Sequence, residues 1–121
     1  MSDALGELQR ETLVRPRREP EFLYLTTTGR RSGLLREIEI WFTRRRGRYY
    51  VISERRRGSR WVRNLLADPR VRVRVGRRRF TGRARVVDAR AEPELSRTVQ
   101  ARSREKYGWG EGLVVELRPG R

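Results

Sequence analysis

The chain has no cysteine, no histidine, one methionine and one lysine. Without Cys there is no disulfide framework and no thiol nucleophile. Without His there is no histidine general base, and the usual Cys/His zinc sites are excluded, so no metal site is expected. Long hydrophobic runs are missing too. Apolar residues make up 36% of the chain, and no run approaches the ~18 residues of a membrane span. No signal-peptide core follows Met1. The apolar residues come in short alternating groups, which argues against wholesale disorder. A single cytoplasmic domain with one core is the expectation for 121 residues.

What the chain does have is arginine, 30 of its 31 basic residues, against 15 acids, for a formal net charge of +16. A GC-rich coding sequence raises arginine everywhere and leaves its placement unexplained. Residues 1–21 carry 4 Arg and 5 acids, whereas residues 44–85 carry 17 Arg and 2 acids. So lopsided a field attracts polyanions: nucleic acid, an anionic membrane or a phosphorylated cofactor.

Residues 1–21 read as a short helix over 4–13 and an extended lead-in opened by Pro16 and Pro20. Residues 22–121 read as one domain. Residues 22–27, rich in aromatic and β-branched side chains, predict a strand, and Thr28–Gly33 predicts a turn. Ile38, Ile40 and Phe42 alternate with Glu37, Glu39 and Trp41 over 36–42. A basic turn follows at 44–47, and 48–53 completes a three-strand meander. Ser59 is placed to cap a helix carrying Trp61, Val62, Leu65 and Leu66, which Asp68-Pro69 ends. Val71, Val73 and Val75 alternate with arginines in a half-buried strand, whose hairpin partner is 80–87. Pro93 suits the first turn of a helix over 93–107 and Gly108 its C-terminus. A last strand covers 113–117. The order β-β-β-α-β-β-α-β, without crossover helices between the first three strands, predicts a mainly β, six-stranded antiparallel barrel or sandwich with two or three short helices.

Three segments carry candidate chemistry. Thr26–Gly33 gathers hydroxyls, two glycines, Arg30 and Arg31, a set that grips phosphate or carboxylate oxygens, or else forms a plain hairpin turn with solvated arginines. Ser53–Leu65 runs a basic loop into a helix N-terminus, where amides and the helix dipole favour an anion. Lys106-Tyr107-Gly108-Trp109-Gly110 places two large aromatics beside glycines, suited to covering a planar ring or to closing the core. Glu37 and Glu39 share a strand face and read as solvated rather than as an acid–base pair.

Leu25-Thr26-Thr27-Thr28-Gly29-Arg30-Arg31-Ser32-Gly33, followed by Arg36, Ser53, and Trp61 with Asn64-Leu65-Leu66-Ala67-Asp68-Pro69, resembles the deazaflavin (F420)-dependent nitroreductase and quinone reductase family over residues 22–117. The chain departs from that family in its compact, Arg-rich 54–60 stretch and in Val62, where Tyr is usual. The resemblance implies the split β-barrel of the pyridoxamine-phosphate oxidase, FMN-binding type. It implies hydride transfer from reduced F420 to a small quinone- or nitro-like acceptor, with FMN as the alternative cofactor. The cofactor-binding residues it implies are Thr28, Arg30, Arg31, Ser32, Arg36, Ser53, Arg57, Ser59, Arg60, Trp61, Arg63 and Asn64. Trp41, Tyr107 and Trp109 are expected to shape the acceptor pocket, with the Tyr107 hydroxyl as a catalytic proton donor. The cofactor's phosphodiester and glutamate tail gives the arginines a polyanionic partner, and the cofactor carries the redox chemistry that the chain lacks. Nucleic acid and a second copy of the chain are further partners to weigh. A nucleic-acid barrel would need Arg72, Arg74, Arg83 and Arg85 in one stripe with aromatics interleaved.

Overall fold

Phe22–Thr28 alternates between two environments: Leu23, Leu25 and Thr27 are buried, and the residues between them are half-buried. This is strand β1, with its β-branched and aromatic residues on a pleated surface. The computed structural model describes residues 19–120, so the helix expected over 4–13 lies outside the described residues. After β1 come β2 (Leu35–Trp41), β3 (Thr43–Arg45), β4 (Arg48–Ser53), helix α1 (Arg60–Ala67), β5 (Arg70–Val75), β6 (Arg78–Val86), helix α2 (Pro93–Tyr107) and β7 (Leu113–Pro119). The strands form one antiparallel sheet in the order β2-β1-β5-β6-β7-β4-β3.

The expected meander fails at its second link. β2 pairs with β1 at one end of the strand order, while β3 and β4 lie at the other end. Only Phe42 separates β2 from β3. One bent length of chain, residues 35–45, therefore carries the sheet from its first edge to its last and curls it into a split barrel. The turn expected at 44–47 contracts to Arg46-Gly47, both at positive φ (53° and 78°), because Arg45 already pairs with Arg48. Two positive-φ residues are the signature of a tight hairpin that matches strand twist. The extra short strand makes seven in place of the six expected.

At the bend, the Phe42 peptide sits outside both ladders and needs other partners. The end of α2 supplies them. The Tyr107 hydroxyl accepts the Phe42 N–H at 3.0 Å and lies 2.7 Å from the Glu21 carbonyl and 2.9 Å from that of Phe42. Lys106 Nζ donates to the carbonyls of Phe42 and Pro20 and pairs with Glu19 at 2.9 Å. Gly108, at φ 79°, ends α2 in the left-handed conformation that its position predicts.

The barrel interior holds Leu23, Leu25, Tyr49, Val51, Val71, Val73, Val115 and Leu117, with Leu65 of α1 closing one end. Burying each such side chain is worth about 1.5–3 kcal/mol. Helix α2 covers the outer face of β4 and β7 through a smaller cluster of Tyr50, Val87, Val99 and Val114. Among the described residues, no helix is long and apolar enough to cross a membrane.

Candidate functional site

The inward face of β2 ends in a groove of about 900 Å³ between that strand, the 29–33 loop and α1. Arg30, Arg31 and Ser32 of the loop, Arg36 of β2, and Arg60, Trp61, Arg63 and Asn64 of α1 all line it. Five guanidinium groups face this space, with Glu37 as its sole carboxylate. Asn64, buried at 6% exposure, ties the walls together. Its amide donates to Thr27 Oγ1 at 3.1 Å, and its carbonyl accepts the Arg30 N–H at 3.1 Å. Thr27 was not among the expected site residues, although its place on the buried face of β1 follows from the alternation.

Four residues expected here point elsewhere. Thr28 falls on the outward set of β1 and lies beside Arg70, Arg72 and Arg83 on the outer surface. Ser53 faces inward and is buried; its hydroxyl donates to the Arg56 carbonyl and contacts Ser59 Oγ at 2.6 Å. Ser59 does occupy the N-cap position of α1, but its side chain makes no capping bond because it is committed to Ser53. The first-turn amides of α1 thus have no side-chain cap, which leaves them for water or an anion. Arg57 is exposed in a one-turn 3-10 segment, Arg56–Gly58, and reaches the groove only through its carbonyl, which accepts Arg63 Nε at 3.2 Å.

The next residues along β2 line a second recess. The arginine groove takes in Glu37 and Ile38, and Glu39, Ile40 and Trp41 belong to a recess of about 520 Å³. Trp41, Phe42, Tyr50, Ile52 and Trp109 form its apolar wall, and Glu39 and Glu54 are its charged residues. Trp41 and Trp109 meet here as expected, with ring centroids 6.3 Å apart. Tyr107 does not line the recess. Its ring stacks behind Trp41 at 4.4 Å and 8°, and its hydroxyl is engaged by the Phe42 and Glu21 backbone. The proton-donor role expected for it would have to compete with these bonds.

A second arginine surface covers the outer sheet. Arg70, Arg72 and Arg74 of β5 lie opposite Arg83, Thr81 and Arg79 of β6, and Arg118 of β7 adjoins Arg83. Tyr24 is the aromatic on this face, under the Arg74 guanidinium at 4.0 Å. Arg85 leaves the stripe for Glu92 and Glu116. The interleaved aromatics that a nucleic-acid barrel requires are not on this face.

The family description of F420H(2)-dependent quinone reductases matches residues 7–110. The chain belongs to that family. It is an oxidoreductase whose cofactor is the reduced deazaflavin F420H2. No curated protein matches the sequence. Solved structures show the shared split-barrel fold. HutZ, a heme storage protein from Vibrio cholerae, is 19% identical, with a TM-score of 0.68 over 96% of this chain and 89% of its own. A putative pyridoxamine 5'-phosphate oxidase from Listeria innocua is 12% identical, with a TM-score of 0.67 and 93% of both chains covered. An F420-H2 dependent reductase, FDR-A, is 20% identical, with a TM-score of 0.56 over 81% of this chain and 94% of its own.

Proposed function

We propose that the chain reduces a quinone-like acceptor, with F420 held in the arginine groove and the acceptor in the adjoining aromatic recess. The observation that carries this reading is the abutment along β2 of a cavity lined by five arginines and one with an apolar aromatic wall. A phosphodiester tail extended by carboxylates fits the first, since guanidinium groups bind such oxygens in bidentate, charge-assisted pairs. The volume lies in the range of sites for molecules of this size. Arg30, Arg31, Arg36, Arg60 and Arg63 would hold the tail, with the uncapped α1 amides beside them. Trp61 and Ile38 offer apolar surface where the groove approaches the recess.

When bound, F420H2 would supply a hydride, and a quinone that accepts it together with one further proton becomes a hydroquinone. The chain's own part is to bind, to orient and to exclude water. Trp41 and Trp109 present flat, rigid surface that limits how an acceptor lies and keeps bulk water from its face. Tyr107 acts one step removed, stacking on Trp41 and fixing the bend that carries it; it is a positioning residue. The Tyr50 hydroxyl in the recess wall is committed to Glu116, so the proton for the reduced acceptor comes from solvent at the open edge.

Titration of the purified protein with F420 and FMN, at low and high salt, tests the assignment. F420 is expected to bind more tightly than FMN and to weaken as salt rises, because screening acts on a multiply charged tail. Tighter FMN binding, or F420 affinity indifferent to salt, would overturn it.

A further inference from the structure

The aromatic recess is set apart by its charge. Basic residues are 31 of the 121 in the chain, yet none lines this recess, whose two ionic groups are Glu39 and Glu54. Both are exposed. Glu39 accepts a hydrogen bond from the Tyr24 hydroxyl at 3.3 Å, and no ion pair engages either carboxylate among the described residues. Lys106 lies over the Phe42 ring at 3.8 Å, but its charge is turned to Glu19 and to backbone carbonyls. The hydroxyls are just as uneven. That of Tyr50 goes to Glu116 at 2.9 Å and that of Ser103 to the Trp109 carbonyl. Thr43 Oγ1 has no partner among the described residues, although Thr43 is only 5% exposed. That oxygen is itself sealed from the recess, so the carboxylates are the open polar groups of the recess.

We propose that this recess takes a planar aromatic carbonyl compound that is uncharged or cationic and discriminates against anionic ones. Glu39 and Glu54 set the charge preference. The inference rests on reading the recess as the acceptor site, and it deepens that reading by naming the acceptor's charge. It also gives the two cavities opposite tastes. A polyanion is drawn to the arginine groove, and an acceptor of like sign is turned away from the carboxylates beside it. Two carboxylates at the rim of a partly desolvated site are expected to separate cationic from anionic analogues by about tenfold in affinity.

The test uses the three tryptophans as separate reporters in the cofactor-free protein. Trp41 and Trp109 line the recess and Trp61 lines the arginine groove. Their indole N–H resonances, assigned by single Trp→Phe variants, are followed while 1,4-naphthoquinones are added. One quinone carries a methyl, one a quaternary ammonium and one a sulfonate group. The neutral and cationic compounds are expected to shift Trp41 and Trp109 at about tenfold lower concentration than the sulfonate, which goes first to Trp61. The double variant Glu39→Gln/Glu54→Gln is expected to bring the cation-to-anion ratio near one without weakening the neutral compound. A sulfonate that shifts Trp41 and Trp109 as readily as the cation, a ratio unchanged in the double variant, or no shift with any quinone would overturn the inference. Failure of F420 to perturb Trp61 would instead count against the cofactor assignment and leave the charge preference measurable.

Discussion

Glu116 is the residue on which the outer barrel wall depends most, and its removal has a predictable cost. It lies on β7 at 2% exposure, facing outward beneath α2. Its carboxylate accepts hydrogen bonds from the Tyr50 hydroxyl at 2.9 Å, Arg85 Nε at 2.9 Å and an Arg48 nitrogen at 3.3 Å. Removing one partner of a buried ion pair costs about 3–5 kcal/mol. The arginines here are 46% and 42% exposed, and Arg85 keeps Glu92, so both can turn to water and the ionic share shrinks. Tyr50, at 3% exposure, cannot, and an orphaned buried hydroxyl costs about 1–3 kcal/mol. Glu116→Ala should therefore cost about 2–4 kcal/mol, or roughly 8–32 °C in melting temperature at about 4–8 °C per kcal/mol. Glu116→Gln keeps an acceptor for Tyr50 and should lose about half as much. Burial pushes the Glu116 carboxyl up, but hydrogen bonds from Arg85 and Tyr50 and the charges of Arg85 and Arg48 outweigh it, holding it below the ordinary value of 4.5. A carboxyl depressed in the folded state contributes stability above its unfolded value, and that contribution is lost as pH falls through the folded one. Wild-type stability should thus drop below about pH 4.5 more steeply than that of Glu116→Gln. Thermal melts by circular dichroism from pH 3 to 7 measure both effects. A Glu116→Ala variant melting within about 3 °C of wild type at pH 7 would refute the reasoning.

Arg30→Ala and Arg36→Ala should each weaken F420 binding by about 1.5–3 kcal/mol, the worth of a charge-assisted contact, with melting temperature nearly unchanged; calorimetric titration beside thermal melts decides it. Asn64→Ala should reduce both quantities. It removes the bonds to Thr27 Oγ1 and the Arg30 amide, at about 1–3 kcal/mol of stability, and frees the 29–33 loop. Tyr107→Phe keeps the ring on Trp41 and deletes the hydroxyl at the Phe42 bend, so turnover per folded molecule should hold while stability falls by about 1–2 kcal/mol. A large loss of turnover at unchanged melting temperature would restore the catalytic role.

Alternation made the inner and outer faces of β1 and β5 legible in the sequence, because a half-buried strand has to repeat every two residues. Gly108 and Pro93 marked the ends of α2 because each has a backbone conformation the helix terminus needs. The bend at Phe42 left no such mark. Residues 35–45 read as strand and turn under any local rule, and the switch of partner there depends on long-range pairing and on Tyr107, 65 residues later. Arg30, Arg36 and Arg63 were legible as candidates for an anion site because a basic turn and a basic helix start suit anions, and the fold brings them into one groove. Thr28 and Ser53 fell on the wrong side of their strands for the groove. Thr43, Tyr50, Ile52 and Glu54 were missed because the recess forms only when β2 and β4 face each other across the split.

The same bend gives Tyr107 its structural task. An aromatic with a free hydroxyl at a helix end suits a proton donor if the hydroxyl has nothing else to bond. Here the barrel closes through a peptide that belongs to neither ladder, and the Phe42 N–H and carbonyl must find partners off the sheet. Tyr107 meets that need and holds Trp41 by stacking in the same act, so the aromatic wall of the recess is built on the joint that closes the barrel. Glu39 of β2 and Glu54, just past the end of β4, are the ionic groups of the recess, and neither is held in an ion pair among the described residues. Groups that closure has consumed serve geometry, and those it spares are the ones left to meet a ligand.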